Sequence, residues 1–217
     1  MVNYVYSMKI FAHRGWSSGE NENTIFAFKR AIEAGLSGVE FDIRYGPNGK
    51  TIVLSHNLTV NLLSLTLADA CKFLQSTNLE LLIEFKEYSN DLYAQTVMTL
   101  EQYGLSERAT LFAFADVAKY FPWDNRGSTM LGIVAPYPQE IKKYIDIYNP
   151  NMVLMGWGNT IERFLFKLVW QTFSLKRIFK KYYKVQFIIG VAYREEDKRW
   201  LSMQAGLYGM TADMPLL

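Results

Sequence analysis

Short apolar runs alternate along this chain with longer stretches in which apolar positions recur every three or four residues. The short runs occupy 9–12, 39–43, 81–85, 110–114, 130–134, 152–155, 185–191 and 209–212 and read as strands. Between most of them lie helical patterns, at 24–34, 66–75, 92–103, 139–147, 161–181 and 195–205. A strand–helix alternation implies a parallel sheet. Eight strands in 217 residues leave about 27 per unit, compact but sufficient for an α/β fold of the (β/α)8 TIM-barrel type. A ninth run, 51–55, follows the second strand after only Tyr45-Gly-Pro-Asn-Gly-Lys50. A parallel return needs about a dozen residues or more, and Gly-Pro-Asn-Gly is turn chemistry, so this run is expected as an extra antiparallel hairpin strand after strand two. A doubly wound open sheet is the rival architecture, but the glycine-rich phosphate loop it carries after its first strand is missing. With no linker or break in composition, 1–217 is expected to be one domain.

Composition narrows the classes. Half the residues are hydrophobic and 20% are charged, which supports a sizeable core and excludes a disordered or collagen-like chain. A net charge of +2 is too mild to imply nucleic-acid binding. The single cysteine, Cys71, excludes an internal disulfide and a multi-thiolate zinc site, and its place in the pattern is that of an inert core thiol. No uncharged apolar run reaches bilayer length. The first eight residues, with Met8 a second candidate start, lack the basic and apolar regions of a signal peptide, so the expected compartment is the cytoplasm.

The two histidines, His13 and His56, both fall at the C-terminal end of an expected strand, where barrels build active sites. Strand alternation in Val39-Glu40-Phe41-Asp42-Ile43 sets Glu40 and Asp42 on one face and the apolar trio on the other. The trio must face the helices, so both carboxylates enter the barrel. Ile83-Glu84-Phe85-Lys86 repeats the device with Glu84 and Lys86. A Glu–Lys ion pair between the strands is the simpler reading. Three converging carboxylates without further nitrogen or sulfur donors instead suit one hard cation, Mg²⁺ or Ca²⁺, and uncompensated buried charge is costly.

Ala12-His13-Arg14-Gly15, Glu22-Asn23-Thr24 with Ala27-Phe28, Val39-Glu40-Phe41-Asp42, Ser55-His56, Glu84-Phe85-Lys86 and Thr211-Ala-Asp213-Met-Pro215 together resemble the glycerophosphodiester phosphodiesterase family. That family belongs to the phosphatidylinositol-phospholipase-C-like (β/α)8 barrels. The resemblance implies metal-dependent cleavage of a glycerophosphodiester to glycerol 3-phosphate and an alcohol. It makes His13 and His56 the general base and acid, gives one divalent cation to Glu40, Asp42 and Glu84, and gives the phosphate to Arg14 and Lys86. Glu22 and Asn23 are supporting residues in that reading; locally, Asn23 or Thr24 could instead open the helix as its N-cap.

The chain departs from the family pattern in three places. Asn57 stands where an Asp usually follows the second histidine. The inserted subdomain is missing, because the next helix begins about ten residues on, at Leu65-Thr66-Leu67. Gly190-Val-Ala-Tyr193 replaces a tryptophan-bearing strand end, leaving Tyr193 and Trp157 as candidate aromatics at the mouth. These changes bear on the alcohol released, and a phospholipase-D-like hydrolase of lysophospholipids or sugar phosphodiesters is the enzyme alternative. A non-catalytic phosphate- or metal-binding barrel is the alternative of another class; a metal-dependent lyase or isomerase would explain the carboxylates but not the His-Arg-Gly and Glu-Asn-Thr motifs.

Residues 161–185 hold seven aromatics and seven bases against one acid, Glu162. We read them first as an outer barrel helix with solvated lysines. The alternative is a basic amphipathic element that makes peripheral contact with anionic lipid.

Overall fold

The computed structural model describes residues 8–17, 19–57, 64–172 and 175–213. The elements run β1 (Lys9–Ala12), α1 (Ile25–Glu33), β2 (Gly38–Tyr45), β3 (Ile52–Leu54), α2 (Leu67–Leu74), β4 (Glu80–Phe85), α3 (Asn90–Gln102), β5 (Ala109–Phe114), α4 (Ala115–Ala118), β6 (Met130–Val134), α5 (Ile141–Tyr148), β7 (Met152–Met155), α6 (Thr160–Thr172), α7 (Leu175–Lys181), β8 (Gln186–Ala192), α8 (Glu195–Ser202) and β9 (Gly209–Ala212). β1 pairs in parallel with both β2 and β9, which closes eight strands into a barrel. β3 lies outside the ring, antiparallel to β2, with Ile43 opposite Leu54.

Alternation along the strands divides the core in two. Val39, Phe41, Ile43, Ile83 and Phe85 pack under the helices with Phe28, Ala31 and Leu74. Phe11, Leu82, Phe112, Met152, Leu154 and Ile188 fill the barrel interior. Glu40 and Asp42 therefore enter the interior on the residues between the apolar trio, and Asp42 lies in register with Glu84. At the N-terminal end of the barrel, Lys9 pairs with Glu80, and the Tyr208 hydroxyl donates to Glu80 at 2.7 Å. That end is closed by side chains far from the histidines.

Helix starts follow hydroxyl caps. The side chains of Thr24, Thr66 and Ser89 accept from the backbone N–H groups of Ala27, Asp69 and Leu92. The expected single helix at 161–181 is two helices, α6 and α7, with residues 173–174, including Phe173, outside the described set. The one-turn helix α4 has no counterpart in the periodicity. Cys71 is fully buried on the inner face of α2, and burial pushes its thiol up to about 12. No helix among the described residues is long and apolar enough to cross a membrane.

Lys167, expected among the solvated lysines, is instead structural, as is Arg163. Asp197 of α8 is buried and accepts from Arg163 Nε at 2.8 Å and from Lys167 Nζ at 2.6 Å, which clasps α6 to α8. Asp197→Ala leaves Lys167 without its carboxylate and Arg163 with only the exposed Glu196, and a loss of about 2 kcal/mol is expected in urea-induced unfolding. An unchanged midpoint would show that solvent compensates both cations.

Candidate active site

The C-terminal ends of the strands surround a cavity of about 460 Å³. Its charged wall comes from the first strands and their loops: His13, Arg14, Glu40, His56, Glu84 and Lys86. The opposite wall, from β5 to β8 and the residues that follow them, is mostly apolar and includes Phe112, Val134, Leu154, Met155 and Trp157.

The loop after β1 is shaped by backbone that ordinary residues avoid. Arg14 has φ +50°, Gly15 φ +78° and Asn23 φ +57°. At Gly15 a side chain is excluded on contact grounds too, since a Cβ would lie 2.5 Å from Ala27 Cβ. The strained pair is tied together, Asn23 N–H donating to Arg14 C=O at 2.8 Å. The turn aims the Arg14 N–H at Glu40 Oε2, 2.9 Å away, and the guanidinium at Glu22 Oε2, also 2.9 Å. Thr24 takes the helix cap, which leaves the Asn23 amide free. It donates to Asp42 Oδ2 at 3.1 Å and accepts the Asp42 N–H at 3.2 Å.

Asp42 is the hub. Lys86 Nζ lies 2.9 Å from Asp42 Oδ1 and 2.6 Å from Glu84 Oε1, while Arg14 Nε lies 3.3 Å from Asp42 Oδ2. Lys86, expected on the phosphate, thus bridges two carboxylates. Glu40, Asp42 and Glu84 each offer an oxygen within 4.8 Å of the others. The ammonium already seated between two of them shows that the cluster suits a cation, and an all-oxygen donor set fits a hard one.

Both histidines meet the cluster, each in a different hydrogen-bonding state. His13 Nδ1 is 2.7 Å from Asp213 Oδ1, and its Nε2 is 4.0 Å from Glu40 Oε2. An ionised carboxylate only accepts, so Nδ1 carries the proton and neutral His13 presents a bare Nε2. His56 Nδ1 is 2.9 Å from an Arg14 Nη and 3.4 Å from Asp42 Oδ1. A guanidinium only donates, so at the shorter of these contacts neutral His56 accepts at Nδ1 and carries its proton on Nε2; the contact with Asp42 becomes a hydrogen bond only when both ring nitrogens are protonated.

Sequence reasoning missed Asp213 as a partner, although it directly follows β9, the neighbour of β1 in the closed barrel. Trp157 and Tyr193 both line the cavity, Trp157 buried and Tyr193 half exposed at the rim. Asn57 is not brought in: it is exposed, and its carbonyl accepts from the Ser55 hydroxyl. Met214 and Pro215 of the terminal motif, and residues 58–61 after Asn57, lie outside the described residues. At position 190 no aromatic could stand in this backbone, because a Cβ would fall 1.7 Å from Thr211 Oγ1.

Burial, with the Asp42 charge beside it, pushes Glu40 up to about 8. Burial acts on Asp42 the same way, but contact with His56 and the Lys86 and Arg14 cations holds it well below the usual carboxylate range. Glu84 is raised by burial against the pull of Lys86. Burial would lower His13, yet the bond to Asp213 and the charge of Glu40 raise it.

A carboxyl whose folded pKa lies above its unfolded value favours the folded state while protonated. That contribution is complete below about 4.5 and is lost as pH rises through about 8, and the raised His13 acts in the same direction. The metal-free protein should therefore lose melting temperature between pH 5 and 8, and a divalent cation should restore it while releasing about one proton at pH 7. Calorimetry of cation binding in buffers of different ionisation enthalpy checks this; zero proton release would show that Glu40 is already ionised.

Residues 13–108 match the model of the glycerophosphoryl diester phosphodiesterase family. A glycerophosphodiester phosphodiesterase of Caldanaerobacter subterraneus subsp. tengcongensis is 46% identical over 52 residues, which is 24% of this chain and 21% of that protein. The aligned stretch spans a small part of the curated relatives it matches, 21% of this one. Among solved structures, a glycerophosphodiester phosphodiesterase from Parabacteroides distasonis superposes with a TM-score of 0.72 at 18% identity, covering 96% of this chain and 94% of that one. An Oleispira antarctica phosphodiesterase, solved with its product sn-glycerol-3-phosphate, gives 0.68 at 15% identity, again over 96% and 94%. At these identities the likeness establishes the barrel fold.

Proposed function

We propose that this chain, which belongs through residues 13–108 to the glycerophosphoryl diester phosphodiesterase family, is a phosphoric diester hydrolase. It cleaves glycerophosphodiesters to glycerol 3-phosphate and an alcohol. The observation that carries this reading is that the two histidines meet opposite partners over one carboxylate cluster, His13 an aspartate and His56 a guanidinium, which calls for opposite tautomers. His13, with its Nε2 free, takes a proton from the attacking oxygen, either water or the neighbouring glycerol hydroxyl. His56, protonated on Nε2, gives its proton to the departing alcohol oxygen. When water attacks, its oxygen ends on phosphorus and one proton ends on the alcohol.

Asp213 fixes the tautomer of His13, and Arg14 fixes that of His56. Arg14, held by Glu22 and Asp42, orients the phosphate oxygens, and Lys86 would join it there once a bound cation took its place between Asp42 and Glu84. Glu40, Asp42 and Glu84 would hold one Mg²⁺ or Ca²⁺, which supplies Lewis-acid polarisation of a phosphoryl oxygen. The structural likeness to the Oleispira antarctica product complex supports a phosphodiester as the small-molecule substrate.

The test is release of glycerol 3-phosphate from glycerophosphocholine with EDTA, Mg²⁺ or Ca²⁺. Turnover should need a cation, and Asp213→Asn, which frees His13 Nδ1 to lose its proton, should lower kcat about 100-fold or more with little change in KM. Cation binding without turnover on any diester would favour the non-catalytic barrel.

A further inference from the structure

The segment from α6 through α7 has an outer face that the catalytic reading does not use. Ile161, Phe164, Leu165 and Leu168 of α6 are 73%, 67%, 49% and 47% exposed. They stand at positions i, i+3, i+4 and i+7, the spacing that places side chains on one side of a helix. Phe166 and Trp170 are buried on the other side. The helix is thus apolar on both sides. A single exposed apolar residue is ordinary, but a contiguous stripe of four marks a contact surface.

The charge of the segment is equally uneven. Residues 161–185 hold seven of the chain's 23 bases and one of its 21 acids, while the rest of the chain has four more acids than bases. Arg163 and Lys167 are held by Asp197, but Lys176, Arg177, Lys180, Lys181 and Lys184 are exposed and make no ion pair with any described residue. Tyr183, 77% exposed, lies among them. An exposed apolar stripe followed directly along the chain by exposed bases without ion-pair partners among the described residues is complementary to one kind of surface, in which acyl chains lie beneath anionic headgroups.

The position of α6 connects this face to the cavity. The helix starts five residues after β7, and Glu162 in its first turn lines the cavity and accepts the Gly158 N–H at 2.6 Å. From there the apolar wall at Trp157 and Leu154 leads inward to the histidines. Gly156 and Gly190 keep this wall thin, since a Cβ on Gly156 would lie 1.4 Å from the Gly190 carbonyl oxygen.

We propose that the outer face of α6, with the bases of α7 and the turn after it, docks on an anionic lipid bilayer, and that the cavity receives phosphodiesters presented at that surface. The second half of the proposal rests on the phosphodiesterase reading; the first does not. Docking is therefore tested without turnover, by co-sedimentation of the full chain with vesicles. The chain should bind phosphatidylglycerol–phosphatidylcholine vesicles at least tenfold more tightly than pure phosphatidylcholine vesicles, and 0.5 M NaCl should weaken the anionic preference.

Ile161→Ser with Phe164→Ser should weaken binding at least tenfold, and so should Lys180→Glu with Lys181→Glu. Met98→Ser, which alters an equally exposed apolar residue on α3, should leave it unchanged. Circular-dichroism melting of each variant separates lost docking from lost fold. No binding to anionic vesicles, or binding indifferent to both double variants in folded protein, overturns the proposal. Sedimentation showing a dimer that the Ile161/Phe164 pair dissociates would also overturn it, by assigning the stripe to a second copy of this chain. Docking without turnover on any diester would leave the surface standing and reject the phosphodiesterase reading instead.

Discussion

His56→Ala is expected to lower kcat about 10²–10⁴-fold on a diester whose leaving group is an alkyl alcohol such as choline, and to cost little on a nitrophenyl diester. His13→Ala should lower both rates by a similar large factor. The difference follows from the tautomers. An alkoxide is a poor leaving group and needs the Nε2 proton of His56, whereas nitrophenolate departs without one. The nucleophile must lose its proton in either case, and only His13 presents an unprotonated Nε2. Steady-state rates of the two variants on the two substrates give the answer. Equal losses for both on both would remove the division of labour.

The second large effect is expected at Asp42. Asp42→Asn preserves the shape of the side chain, but it removes the charge that meets Lys86, Arg14 and His56. It should reduce kcat/KM at least about 10³-fold by weakening cation binding and phosphate positioning together. It should also destabilise the metal-free fold by about 3 kcal/mol, because the buried cations lose their common partner. Glu22→Gln touches the same network at its rim, through Arg14 alone, and should cost far less in both measures. Isothermal titration with Mg²⁺ or Ca²⁺ and urea unfolding read the two effects separately. A variant with normal cation affinity would show that Glu40 and Glu84 suffice.

How much of this was legible in the sequence depended on the range of the interaction. The alternation in Val39-Glu40-Phe41-Asp42-Ile43 is a local property of a strand, and it placed both carboxylates inside the barrel with no knowledge of the fold. The hairpin position of β3 followed in the same way from a connection too short for a parallel return. Asp213 was invisible as a partner because it meets His13 across 200 residues, through closure of β9 on β1. Lys86 was placed on the correct face, but alternation does not show where a long flexible side chain ends, and its ammonium found two carboxylates. Asn23 had two local readings, and only the capture of the cap by Thr24 decides between them.

The helical pattern at 161–181 misled for a related reason. Its apolar positions satisfied the periodicity of a core-facing helix, while Phe164 and three aliphatic residues face outward, and two of its bases are held by Asp197 on α8. Periodicity reports that a helix has an apolar face; it does not report that there are two.

The most direct test of the central claim is hydrolysis of glycerophosphocholine by the cation-loaded protein in ¹⁸O-enriched water, followed by ³¹P NMR. The account predicts glycerol 3-phosphate with one labelled oxygen on phosphorus and unlabelled choline, and no reaction after EDTA or in His13→Ala. Label in the choline, or turnover that survives both controls, would contradict it.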